Sequence, residues 1–158
     1  MSEQGGASFF LQFIEDELKP EINRRFPIDR SRQTIFGHSL GGLFVLHTMF
    51  TKPKAFQYYI AGSPSIHWAK EYLLEKEREF ISITEKEPID VHVLITMGEL
   101  ERGHFSRSNE NAEELSARLT SLSSQGVKAE FKEFEGENHG SVLPILISRT
   151  LRFALKPN

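Results

Sequence analysis

The feature that most constrains this sequence is a serine framed by glycines between two short segments of different character. Residues 37–42 read Gly-His-Ser-Leu-Gly-Gly; they follow the short run of residues 33–36 and lead into the largely apolar residues 40–50. The first segment is too short for a helix, whereas the second is apolar on almost every face, which is typical of a buried helix. We therefore predict a buried strand, a sharp turn that carries Ser39, and a buried helix.

The pattern Gly-x-Ser-x-Gly in a strand–turn–helix setting is typical of a nucleophile elbow, which presents a reactive serine at the carboxyl edge of a sheet. We expect Ser39 to adopt a strained backbone conformation, and side chains at positions 37 and 41 to collide with neighbouring backbone. The N–H of Leu40 would lie at a helix N-terminus, where it can stabilise an oxyanion. The alternative interpretation is a glycine-rich turn that only connects a strand to a helix.

A serine hydroxyl needs a base that takes its proton and a third group that orients the base, in the chain order serine, acid, histidine. His139 is the candidate base, because it lies in a polar segment between the last predicted strand and the last predicted helix. The acid is expected directly after the strand of residues 91–97, where Glu101 is the first choice and Glu99 follows closely. Two alternatives stay open: a serine–histidine pair without an acid, and glutamates that are merely solvated.

The other histidines have weaker claims to a function. His47 falls inside the buried helix and His92 inside a strand, so we interpret both as structural. His38 neighbours the nucleophile, and its side chain is expected to point elsewhere, although its position also makes it a candidate contact for a substrate. His67 and His104 lie in predicted loops near the same sheet edge and could line a site.

The rest of the chain alternates between strand and helix patterns, which predicts an α/β fold with a mostly parallel sheet and helices on both faces. No internal repeat or linker divides the chain, so residues 1–158 are predicted to form a single domain. The further predicted elements are a helix over residues 8–26 that Pro20 kinks or splits, strands at 58–61, 91–97 and 129–134, and helices at 71–80, 109–125 (capped by Ser108 or Asn109) and 142–155.

Composition excludes several classes of function. The chain has 19 Lys and Arg against 22 Asp and Glu, so a net charge of −3 gives no basic surface that would attract nucleic acid. No apolar run is long enough to cross a bilayer and no signal sequence starts the chain, so we expect a soluble cytoplasmic protein with no membrane partner. The sequence contains no cysteine, which removes disulfides, thiolate nucleophiles and cysteine-bound zinc. The histidine spacing predicts no metal, and the glycine pattern predicts no nucleotide cofactor.

Four segments in this order resemble the esterase D type family of α/β-hydrolases, and in particular its siderophore-esterase branch. They read FGHSLGGLF, AGSPSIHW, MGELE and GENHGS, and the resemblance runs from about Phe10 to the end of the chain. It implies an α/β-hydrolase fold and a serine esterase without a cofactor. By resemblance, Ser39 is the nucleophile, His139 is the general base, and Glu101 or Glu99 is the acid.

The resemblance also implies a small-molecule ester as substrate. Siderophore esterases cleave catecholate trilactones such as enterobactin or bacillibactin, while wider relatives include feruloyl esterases, S-formylglutathione hydrolases and mycolyl-type acyltransferases. Trp68 could stack on an aromatic ring of such a substrate, and Arg102, with Lys70 and Arg107, could hold its negative charge. Ordinary solvated surface is the alternative for each of these cations.

The sequence departs from the family because only residues 1–36 precede the elbow glycine. The family normally places several strands there, together with the loop that donates the second oxyanion N–H. We therefore expect a domain that is truncated on its N-terminal side. Two alternatives to hydrolysis follow: a catalytically inactive remnant that binds or dimerises through an exposed sheet edge, and an enzyme that transfers the acyl group to an alcohol. The oligomeric state stays open.

Overall fold

The computed structural model describes residues 5–103 and 106–156. Four parallel strands form one sheet in the order β1-β2-β3-β4. Because the strands are parallel, their carboxyl ends meet at one edge of the sheet, and the turns that follow them share that edge. The strands are β1 (Thr34–His38), β2 (Tyr58–Gly62), β3 (Val91–Gly98) and β4 (Val127–Phe134).

Helices cover both faces of the sheet. The helices of residues 40–51, 70–84 and 108–120 pack against the face that carries Tyr59 and Val93. The last helix packs against the face that carries Ile60 and Leu94. No helix among the described residues is both long and apolar enough to cross a membrane. The helices are α1 (Ala7–Phe13), α2 (Lys19–Arg25), α3 (Leu40–Thr51), α4 (Lys70–Thr84), α5 (Ser108–Thr120) and α6 (Leu143–Ala154).

This architecture confirms the predicted α/β class with a parallel sheet and helices on both faces. All four predicted strands are present, within two residues of their predicted bounds. The first helix is interrupted before Pro20, by a π-helical turn over Ile14–Leu18 and not by a break in the helix. The turn places Pro20 at the start of α2, where a residue without an N–H disturbs few helical hydrogen bonds.

The predicted cap of the helix at residues 109–125 was wrong. The N-cap is Arg107, which has a left-handed backbone with φ of 49° and makes no side-chain capping bond. Asn109 is buried instead, and its amide donates to the carbonyl of Gly98 and to Glu133. The regular helix ends at Thr120, and a short 3₁₀ turn follows it before β4.

Strand β1 forms one edge of the described sheet and carries a partly uncovered apolar side chain. Phe36 pairs in register with the fully buried Ile60 of β2, yet it is 40% exposed, since β1 has a strand partner on one side only among the described residues. The first helical segment exposes further large apolar side chains. They are Phe9, Phe10, Phe13, Leu18 and Ile22.

The contact between α3 and α4 contains a buried histidine. The Nδ1 atom of His47 lies 2.8 Å from the hydroxyl of Tyr72, and the two rings stack. Burial lowers the pKa of His47 below its ordinary value of 6.5, and the positive charge of Lys76 lowers it further. His47 is therefore neutral in the folded protein at neutral pH, as its structural interpretation requires.

The buried His47 makes the protein less stable in acid. Its pKa is lower in the folded chain than in the unfolded chain, so protonation favours unfolding, and the free energy of unfolding falls as the pH drops below about 6.5. We expect His47→Gln, which can still accept from Tyr72, to flatten this fall between pH of about 7.5 and about 5.5. Urea unfolding at both pH values measures it. His38 and His92 shift in the same direction and keep part of the slope; an unchanged slope would contradict the prediction.

Candidate active site

Ser39 lies on the sharp turn between β1 and α3 that the sequence predicts. Its backbone has φ of 61° and ψ of −118°, a conformation that residues other than glycine rarely adopt. The N–H of Ser39 donates to the carbonyl of Gly62 at the end of β2, at 2.9 Å. The turn is therefore fixed to the neighbouring strand, and Ser39 lies at the carboxyl edge of the sheet.

The two glycines of the elbow are needed for different reasons. A Cβ atom on Gly37 would lie 2.1 Å from the carbonyl oxygen of Gly41, so a side chain cannot fit there. A Cβ on Gly41 would meet no described atom within 4 Å. The expected collision is thus correct for position 37 and wrong for position 41. The close approach is one-sided, because the Cβ direction at Gly37 points at the first turn of α3, whereas that of Gly41 points into open space.

His139 lies between Ser39 and a glutamate. Its Nε2 atom is 3.0 Å from the Oγ atom of Ser39, and its Nδ1 atom is 2.7 Å from the Oε2 atom of Glu101. An ionised carboxylate can only accept, so Nδ1 carries the proton of the neutral imidazole. Nε2 is then left as the acceptor for the hydroxyl of Ser39. This is the arrangement that a hydroxyl nucleophile and its general base require.

The two candidate glutamates have different partners. Glu101 accepts from His139, whereas Glu99 accepts from the backbone N–H of Gly136 at 2.8 Å. Both residues belong to a 3₁₀ turn that follows β3, so a spacing of two residues directs their side chains to different neighbours. Glu101 is the better shielded of the two site groups, since its side chain is 10% exposed while that of His139 is 51% exposed.

Leu40 is the first residue of α3, next to the nucleophile. The first N–H groups of a helix have no acceptor within the helix, and the positive end of the helix dipole lies there. The N–H of Leu40 is therefore available beside Ser39 for the oxygen of a bound carbonyl. This placement agrees with the position expected for an oxyanion donor.

His38 packs against the base from behind. Its ring centroid is 4.7 Å from that of His139. Burial lowers the pKa of His38, and a positive charge on His139 lowers it further. The Nε2 atom of His38 is buried without a hydrogen-bond partner among the described residues. His38 thus supports the ring of His139 and does not line the cleft described next.

An open cleft of about 480 Å³ lies in front of Ser39. Trp68 lines the cleft and is 69% exposed. The other predicted substrate contact, Arg102, is bound elsewhere: its guanidinium pairs with Glu133 at 2.6 Å and with Glu113 at 3.1 Å. Besides the three hydrogen-bonded residues, the cleft is lined by Ser63, Pro64, Ser65, His67, Trp68, Leu100, Ser106, Ser108 and Asn138.

The remaining candidate residues are placed as follows. Lys70 donates to the side-chain oxygen of Asn111 at 2.7 Å, and Arg107 lies 3.7 Å from Glu114. His67 lines the cleft, and His104 lies outside the described residues. In the described ranges, no cluster of three or more histidine, aspartate or glutamate side chains could hold a metal ion.

The sequence and the geometry agree with one family of proteins. The model of the family described as "Putative esterase" matches residues 1–142. This chain belongs to that family. The ferri-bacillibactin esterase BesA of Bacillus subtilis (strain 168) is 60% identical to it over 156 residues, which cover 99% of this chain and 54% of BesA.

Solved structures agree with this family assignment. The BES protein from Bacillus cereus is 46% identical and superposes with a TM-score of 0.87, over 97% of this chain and 56% of that one. The siderophore hydrolase EstA from Aspergillus nidulans is 32% identical with a TM-score of 0.77, over 95% and 57%. The fold is therefore that of α/β-hydrolases. This chain spans about half the length of the curated relatives that it matches.

The sequence reasoning missed two serines of the site. The hydroxyl of Ser63 donates to the Oε1 atom of Glu101 at 2.6 Å, and the Oγ atom of Ser65 lies 3.3 Å from that of Ser39. Both follow the carboxyl end of β2, the edge at which the other site residues meet. That position, and their place in the segment AGSPSIHW, were the signals that could have identified them.

The one-sided packing at the elbow predicts a contrast between Gly37 and Gly41. Gly37→Ala pushes a methyl group into fixed backbone and is expected to lower the free energy of unfolding by on the order of 3 kcal/mol, or to prevent folding. Gly41→Ala is the matched control, and we expect its effect to stay within about 1 kcal/mol. Urea unfolding followed by circular dichroism measures both. Equal losses would contradict the described geometry.

The different partners of the two glutamates predict a second contrast. Glu101→Gln removes the charged acceptor of His139, and we expect it to slow the reaction of Ser39 with a fluorophosphonate at least ~100-fold. Glu99→Gln is the control, with the same change two residues away, and should react within about 3-fold of the unmodified chain. The rate of mass gain in intact-mass spectra measures both. Similar slowing by both variants would refute the assignment of Glu101.

Proposed function

We propose that this chain is a serine hydrolase that cleaves carboxylic esters through an acyl-enzyme on Ser39. The observation that carries the proposal is the hydrogen-bonded series from Ser39 through His139 to Glu101, with contacts of 3.0 and 2.7 Å. The strained turn presents Ser39 beside the N-terminus of α3 and at the floor of an open cleft. Nucleophile, base, orienting acid and oxyanion donor are thus within reach of one bound ester.

In the first half of the reaction, the Oγ atom of Ser39 attacks the ester carbonyl carbon while the Nε2 atom of His139 takes the hydroxyl proton. Glu101 accepts the hydrogen bond of the Nδ1–H group of His139 and stabilises the imidazolium. The N–H of Leu40 donates to the oxyanion of the tetrahedral intermediate. The intermediate collapses when the alcohol oxygen leaves with the proton of His139, which gives the acyl-enzyme. Water, activated by the same base, then releases the acid.

The substrate we propose is a siderophore-type ester, in the first place a catecholate trilactone. Two relatives that match most of this chain carry the names ferri-bacillibactin esterase and siderophore hydrolase. Trp68 offers an exposed indole beside the nucleophile, on which a catechol ring can stack. Arg102 is paired with Glu133 and Glu113, so it can hold substrate charge only after it leaves them.

A second candidate function is a binding or dimerising module without catalysis. The observation in its favour is the edge strand β1, on which Phe36 is 40% exposed although its register partner Ile60 is fully buried. An edge strand with an apolar side chain next to it can pair with another chain. This function needs no reactive serine, which separates it from the first candidate.

Labelling with a fluorophosphonate tests the proposed function. We expect one probe per folded chain, no label on Ser39→Ala, and full label on Ser31→Ala, because Ser31 is an exposed serine in the loop before β1. The labelled chain should also lose its turnover of a catecholate trilactone, followed by chromatography of the catechol products. A folded chain that takes no label would overturn the proposed hydrolase. A molecular mass that rises with concentration in that chain would favour the second candidate.

A further inference from the structure

Ser63 is a buried polar residue with an unfavourable backbone conformation. It follows the last residue of β2, its backbone has φ of 40°, and only 2% of it is exposed. Its N–H donates to the carbonyl of Thr96 in β3 at 2.8 Å, so its backbone is fixed. A positive φ is unfavourable for residues other than glycine, yet this buried position carries a polar side chain. The hydroxyl is the part of the residue that glycine could not supply.

The hydroxyl of Ser63 is directed at the carboxylate of Glu101. The Oε1 atom of Glu101 accepts from Ser63 at 2.6 Å and from the N–H of Gly98 at 2.8 Å. The other oxygen, Oε2, accepts from the Nδ1 atom of His139. A carboxylate has no proton to donate, so Ser63 must be the donor in its contact. Three donors on two oxygens define the plane of the carboxylate and leave one oxygen for the base.

Without Ser63 the carboxylate would be held at Oε1 by one backbone bond. A carboxylate with a single donor on one oxygen can turn about its terminal torsion, which is broad in energy. Oε2 would then leave the line of the Nδ1–H bond, and His139 would lose the contact that fixes its tautomer. The effect on Ser39 would be indirect, because Ser63 acts on the acid and the acid acts on the base.

We infer that Ser63 is a positioning residue of the proposed esterase, whose hydroxyl holds Glu101 in the orientation that fixes the tautomer of His139. The inference rests on the proposed function, since it assigns Ser63 to the machinery of that reaction. The contact joins the end of β2 to the turn after β3, so it also ties two of the loops that form the site.

The kinetic test is a double-mutant cycle between Ser63 and Glu101, read by the rate of fluorophosphonate labelling. We expect Ser63→Ala to slow labelling about 10-fold, as is usual for one hydrogen bond to a charged group. In the Glu101→Gln background the same change should slow labelling no further, because its route to Ser39 is already removed. A full 10-fold loss in that background would overturn the inference.

Two further variants separate the hydroxyl from the backbone. Ser63→Gly removes the hydroxyl and adopts the positive φ without strain, so it serves as the test if Ser63→Ala folds poorly. We expect Ser63→Gly to label as slowly as Ser63→Ala, and recovery to the rate of the unmodified chain would refute the role of the hydroxyl. Ser31→Ala is the matched control, since it breaks a serine–carboxylate bond of the same length, 2.6 Å to Asp29, far from the site.

A readout without catalysis distinguishes failure of this inference from failure of the proposed function. The nitrogen-15 shifts of the His139 ring, at a pH where the ring is neutral, report which nitrogen carries the proton. We expect the Nδ1–H tautomer in the unmodified chain and in Ser31→Ala, and a mixture in Ser63→Ala and Ser63→Gly. A chain that takes no probe but shows this pattern would refute the esterase and retain the positioning by Ser63. Identical tautomers in all four proteins would overturn the inference, whatever the labelling shows.

Discussion

The backbone contact between Gly37 and Gly41 is the constraint on which the site depends. It lets α3 start directly against the end of β1, with Ser39 in the strained conformation of the turn. The parallel sheet then brings the segments after β2, β3 and β4 to the same edge. Glu101 and His139 reach the serine because each follows the carboxyl end of a strand. The geometry of the site therefore follows from the direction of the strands and from the glycine at position 37.

Much of this arrangement could be predicted from the sequence, because it depends on local patterns. The glycine-framed serine, the apolar runs on either side of it and the alternation of strand and helix determine the sheet and the turn. The order serine, glutamate, histidine follows from the order of the strand ends along the chain. The choice between Glu99 and Glu101 could not be made, since residues two apart in a turn of unknown shape can point to either side. The single-domain organisation, the cytoplasmic location and the absence of a cofactor stay predictions.

Other features could not be predicted, because they depend on contacts between distant segments. Asn109 would be a good helix cap in isolation, but its amide donates to Gly98 and Glu133. The N-cap position of α5 is occupied by Arg107 instead. Arg102 looks like a cation for an anionic substrate, yet two glutamates far along the chain bind it. Ser63 lies in the segment AGSPSIHW, but its contact with Glu101 depends on the packing of β2 beside β3.

The exposure of His139 has a consequence for the fate of the acyl group. Half of this side chain faces solvent, and the cleft in front of Ser39 is open to solvent. An acyl group on Ser39 would be reached by the bulk solvent without passing a barrier formed by the described residues. Transfer to an alcohol requires that water be kept out while the acceptor binds. In the proposed hydrolase, a site of this shape favours water as the second nucleophile and the free acid as the product.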